Sequence, residues 1–133
     1  MRKQLQLYSV VLVCLGLGRI VLAQDAVKVD PKHYTVITEN DQVRILKAHY
    51  GPHEKSVMHS HPATAAVFLT DGTGTFTYPD GKTTPFNAKA GSAEYEAAVT
   101  HLPENTSDAA MDVIVVELKG HAAKSKMSGM KMK

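Results

Sequence analysis

Residues 51–72 read GPHEKSVMHSHPATAAVFLTDG, with His59 and His61 at the centre, one residue apart. Side chains on an extended backbone alternate between its two faces. Both imidazoles therefore point the same way and can reach one ion from one strand. About forty residues later the segment THLPEN carries His101, and a third imidazole reaching in from another strand would complete a facial set. A lone His-x-His pair is more often a surface accident than a ligand pair, and it is the third histidine that makes a metal site a working hypothesis.

Outward from this stretch the chain reads as short strands broken by turn signals, with no helical period sustained over three turns. Strands are expected over 34–38, 43–50, 56–59, 65–70, 74–78, 83–87, 93–96 and 111–118. Between them, Glu39-Asn40-Asp41, Gly51-Pro52, Asp71-Gly72, Pro79-Asp80-Gly81 and Lys89-Ala90-Gly91 supply residues that tolerate tight or left-handed backbone. Phe76 and Tyr78 alternate with Thr75 and Thr77, the pattern of a strand with one buried face. Asp80-Gly81 suits a hairpin turn. Val113-Ile114-Val115-Val116 is apolar on both parities, so both of its faces are expected to be covered. Eight short strands at this spacing imply an all-β sandwich or barrel.

The two ends read differently from the body. Residues 1–23 carry a basic head, an apolar run and small residues at Val21-Leu22-Ala23, as in a signal peptide cut after Ala23. The run is short for a membrane span, which needs roughly 20 apolar residues, so no stable span is expected after processing. Cys14, the single cysteine, would leave with this segment, and Val13 before it argues against lipoprotein attachment. An exported chain without a disulfide must then draw its stability from its core, a bound ion or self-association. The expected organisation is a signal peptide (1–23), an N-terminal arm (24–33), one domain (34–118) and a flexible Lys/Met-rich tail (119–133). The expected location is the periplasm or the exterior.

The formal charge of +2 includes Arg2, Lys3 and Arg19; without them twelve basic residues face thirteen acidic ones. Between residues 24 and 118 the balance is seven basic to thirteen acidic. A body with this acidic excess has no reason to bind phosphates, so nucleic acid is not expected as a partner. No phosphate-cradling glycine loop and no serine elbow is present, and the processed chain lacks cysteine, so nucleophilic catalysis has no candidate.

Taken in order, these residues resemble the two motifs of the cupins. The first motif reads here as Gly51, seven residues, His59-Ser60-His61, three residues, Ala65, six residues, Gly72. The second reads as Lys89-Ala90-Gly91 and then, after a longer gap, His101, three residues, Asn105. The chain departs from the family at Lys89, where a proline is usual, and at Ala65, where most relatives carry a glutamate ligand. The resemblance spans residues 34–118 and implies a jelly-roll barrel with a metal inside it. It also implies a small organic ligand or substrate and a homodimer formed through the sheets.

Without the glutamate, three neutral imidazoles, His59, His61 and His101, would leave the ion its full charge. Iron, manganese, nickel, copper and zinc are all candidates, since imidazole alone does not name the ion. Three-histidine sites occur in some cupin-like dioxygenases, so the resemblance allows an oxygenase, an isomerase or a lyase, as well as a non-catalytic binding or sensing module. Glu94 and Glu96 share a parity just before His101, and Glu96 is the candidate fourth ligand or catalytic carboxylate. Its plain alternative is a solvent-facing side chain.

His49 and His53 are expected to be ordinary polar residues, and Phe68, Phe76, Tyr78 and Tyr95 core or cavity lining. Asn105 is expected to close a turn, although it also opens a glycosylation sequon with Thr106 and Ser107. His121, Met127, Met130 and Met132 could bind Cu(I), but a solvated tail is the plainer reading.

Overall fold

The alternation of inward and outward side chains organises residues 34–118 into nine strands. These are β1 (Tyr34–Glu39), β2 (Val43–Tyr50), β3 (His59–His61), β4 (Thr64–Phe68), β5 (Gly72–Thr77), β6 (Thr83–Ala88), β7 (Ala93–Glu96), β8 (Val99–Asn105) and β9 (Met111–Leu118). One turn of helix, α1 (Ala26–Val29), precedes them, capped by Asp25, whose carboxylate accepts from the Lys28 amide. The computed structural model describes residues 24–120. The expected signal peptide and all of the tail except Lys119 and Gly120 lie outside the described residues. Among the described residues no helix is long and apolar enough to cross a membrane.

The strands form two antiparallel sheets, one in the order β1-β2-β9-β4-β7 and one in the order β3-β8-β5-β6. The all-β jelly-roll expectation holds. The longest ladder joins β2 to β9 from Val43↔Leu118 to Tyr50↔Met111. It turns Leu46, Ala48, Tyr50, Met111, Val113 and Val115 inward, where all six are buried with Phe68 from β4. Ile114 and Val116 on the opposite parity remain partly exposed. The expectation that β9 is covered on both faces is therefore not met.

Two strands differ from their expected positions. β3 begins at His59 and not at Ser56, because the Ser56 side chain is engaged by Asp30 and its amide by the Pro103 carbonyl. β8 was not expected, since Pro103 lacks an amide hydrogen and reads as a break. The proline is tolerated because β3 pairs only with residues 99–101 of β8 and leaves Pro103 beyond its ladder. On its other side Pro103 stands opposite Phe76 of β5.

Local chemistry fixes the corners. Gly81 (φ +82°) closes the β5–β6 hairpin, with the Tyr78 amide bonded to the Lys82 carbonyl at 2.9 Å. Asn105, fully buried at the end of β8, donates its amide to the carbonyls of Gly51 (2.9 Å) and Ala109 (2.8 Å) and accepts from the Ser107 amide (3.0 Å). The expected structural role is thus observed. The sequon offers no free amide in the folded chain.

Candidate metal centre

β3 turns His59 and His61 inward and Ser60 away, and β8 sets His101 directly opposite His59. All three imidazoles are buried, with exposures of 0%, 6% and 4%, and a ligand atom from each lies within 4.8 Å of the others. The structure brings together the three histidines singled out in the sequence.

Hydrogen bonds fix the tautomers of two of them. His59 donates from Nδ1 to the Val57 carbonyl (2.8 Å), with Ser56 Oγ at 3.2 Å. His61 donates from Nδ1 to the Glu117 carboxylate (2.7 Å). The Nε2 of each ring is then the atom left for another partner, and His59 Nε2 has none. His101 makes no hydrogen bond at either nitrogen and is held by stacking on Phe76, with centroids 5.0 Å apart and planes 3° from parallel. Three buried imidazoles converging, with unpartnered ring nitrogens on His59 and His101, are a donor set that suits a divalent transition ion.

The electrostatics keep His59 and His101 neutral. Burial, reinforced by the neighbouring His61, lowers the His59 pKa to about 4. Burial and the other two histidines lower that of His101 to about 3. Burial alone would raise Glu117, yet its hydrogen bonds from His61 and Arg44 outweigh that and hold the carboxyl below its usual range. Glu117 is thus an anion at the back of His61, where it strengthens the ring as a ligand.

In front of the histidines lies a cavity of about 60 Å³ between the sheets, with His61, His101, Tyr34, Phe76, Met111 and Val113 in its wall. It adjoins a wider outer chamber of about 360 Å³, and Ala66, Phe68, Phe76, Phe86 and Glu96 border both. Glu96 Oε1 is 4.0 Å from His101 Nδ1, too far for a hydrogen bond. Burial, followed by its neighbour Glu94, raises the Glu96 pKa against the opposing influence of His61. Glu94 borders only the outer chamber. Thr64, Ala66 and Phe68 face the inner cavity, so the inward position on β4 that lacks a carboxylate is Ala66, next to the Ala65 of the motif.

The remaining candidates fall as expected or close to it. His49 is exposed and bonded to Asp112, and His53 is exposed and paired with Asp108 in a left-handed backbone conformation (φ 57°). Phe68 and Phe76 line the inner cavity and Tyr78 the outer one, whereas Tyr95 is 70% exposed at the outer rim. His121 and the three tail methionines lie outside the described residues. Sequence reasoning missed Glu117, Arg44 and Ser56, which stand behind His61 and His59. Glu117 did carry a signal, as a charge at the inward parity of the most apolar strand.

Comparison with known proteins agrees with this architecture. The family model for the cupin domain matches residues 46–117. The chain belongs to the cupins. Among solved structures it is similar to a cupin domain from Bordetella pertussis Tohama I, with 21% identity, a TM-score of 0.61, and 74% of this chain and 98% of that one covered. It is also similar to an uncharacterised protein with a double-stranded β-helix domain from Klebsiella pneumoniae, at 20% identity and TM-score 0.54, covering 67% and 77%. A third is the polyketide cyclase RemF from Streptomyces resistomycificus, at 16% identity and TM-score 0.50, covering 65% and 64%. No curated protein matches the chain. At these identities the solved structures speak for the fold alone. This cupin's chemistry has to be read from its own residues.

Proposed function

We propose that this chain is an exported cupin that holds one divalent transition metal through His59, His61 and His101 and binds a small organic molecule beside it. The observation that carries the reading is the buried trio of imidazoles within 4.8 Å of one another, with ring nitrogens of His59 and His101 left without a partner. Each such orphaned group costs about 1–3 kcal/mol, and one shared ion would relieve them together. When bound, the ion supplies a Lewis acid with open coordination positions.

The chain's own residues shape what happens there. Phe76, Met111 and Val113 give the inner cavity an apolar wall that excludes water, and the outer chamber provides room for the body of a ligand. Glu96, at the junction of the two, keeps a proton more readily than an ordinary carboxylate. That suits it to exchange a proton with a ligand seated before the histidines. RemF, a fold neighbour, is a polyketide cyclase, which illustrates a barrel of this kind acting on an organic substrate. A homodimer through the sheets is part of the same proposal.

A non-catalytic binding module is the second reading, favoured by Ala66, which leaves Glu96 as the one carboxylate among the residues lining the inner cavity. Zinc titration against a chromophoric chelator tests the shared claim. One ion per chain is expected for the wild type and none for His59→Ala/His61→Ala, and a wild-type chain that withdraws no zinc would contradict both readings. Glu96→Gln separates them: an enzyme loses turnover while keeping its metal, and a binding module keeps its ligand affinity.

A further inference from the structure

Two hydrogen-bond chains lead away from the ligands, and both end on residues 24–33. From His61 the path runs through Glu117 to Arg44 Nε (2.5 Å), and from Arg44 Nη2 to Asp25 Oδ2 (2.6 Å). From His59 it runs through Ser56 Oγ to Asp30 Oδ2 (2.5 Å). His33 Nδ1 lies 2.8 Å from both Asp30 oxygens, and the His33 ring stacks on Tyr50 at 4.5 Å.

The arm also clasps the ligand strand directly. The Ser60 amide, between the two ligands, bonds to the Gln24 carbonyl at 2.7 Å, and Asp25 forms a β-bridge to Ser60. Ala26 is fully buried and Asp30 is 6% exposed, so this segment is part of the packed structure. His101 has no such chain behind it.

We propose that the N-terminal arm, through Asp25 and Asp30, orients His59 and His61, so that arm docking and metal binding form one coupled equilibrium. This rests on the three-histidine reading of the site. The physical reason is that a hydrogen bond at the second nitrogen fixes the ring's rotation about its side-chain bonds and aims the first nitrogen at an ion. Here Arg44, which holds Glu117 behind His61, and Ser56, the second contact behind His59 after the Val57 carbonyl, are each anchored on a carboxylate that the arm supplies. Without Asp25 the Arg44 guanidinium loses one of its two carboxylates and Glu117 its fixed position; without Asp30 the Ser56 hydroxyl is free to turn away from His59. By linkage, an ion that needs the oriented rings must in turn tighten the arm.

The test uses zinc and the full chain. Asp25→Ala and Asp30→Ala are expected to weaken zinc binding by about 10- to 100-fold, the usual cost of losing a partner behind a ligand. Asp30→Asn, which keeps an acceptor for Ser56, should recover most of the loss, and Lys28→Ala, an exposed change on the same arm, should leave affinity unchanged. In the unmodified protein zinc should slow amide hydrogen exchange across residues 24–33, a readout that needs no folded variant. Wild-type zinc binding with no added protection of the arm, or with undiminished affinity in both alanine variants, overturns the coupling and leaves the metal site standing. A wild-type chain that binds no zinc overturns both.

Discussion

His59 and His101 show at single-residue scale how burial prepares a ligand. Their folded pKa values, about 4 and about 3, lie below the 6.5 of a free histidine. Between those values the unfolded chain binds protons that the folded chain refuses, so metal-free stability is complete above about pH 6.5 and is lost as pH falls. Each histidine contributes up to about 1.4 kcal/mol per pH unit in that window. Melting temperatures in chelator are expected to drop from pH 7 to pH 5, and His101→Gln to shallow the drop. A flat wild-type profile would show that the imidazoles are solvated. Glu117 and Asp30, whose carboxyls are held below their usual range, lose their contribution only at lower pH. At this scale the sequence showed the three candidate histidines, because a spacing of two sets His59 and His61 on one face of a strand and the family motif adds His101. It did not show Ser56, Arg44 or Asp25, whose roles arise from contacts spanning tens of residues.

Among elements, β5 is closely seated at Gly74, which lies between β6 and β8. A Cβ there would meet the Glu104 carbonyl oxygen and the Phe86 ring. Gly74→Ala is expected to destabilise the chain by about 1–3 kcal/mol through overpacking. It should also disturb the cavity wall, since neighbouring Phe76 carries His101 on its face. Urea unfolding measures the first effect, and an unchanged midpoint would mean that the strands are looser than the structure shows. Most strands were legible from alternation and turn residues. β8 was not, although it carries His101, because Pro103 masks it in a local reading. Its acceptability depends on how far β3 extends beside it, which only the pairing reveals. The misjudged outer face of β9 has a similar cause: apolar residues on both parities say that a strand is sticky, not what covers it.

Over the whole molecule, the two sheets, the cavity between them and the arm across β3 meet at the same three imidazoles. The motif spacing in the sequence carried the family and the barrel, because the ligands and glycines recur at fixed intervals along the chain. The anchoring of the ligands on residues 24–33 was not legible, since nothing in the local sequence distinguishes a docked arm from a loose one. An ion bound at that meeting point would tie both sheets and the arm together. At a free concentration one hundred times its dissociation constant it would stabilise the fold by about 2.7 kcal/mol. The most direct test is elemental analysis of the purified chain beside its His59→Ala/His61→Ala variant. Close to one equivalent of iron, manganese, nickel, copper or zinc, lost in the variant, is the expected result. A wild-type chain that carries no metal, and takes up none when ions are added, would contradict the account.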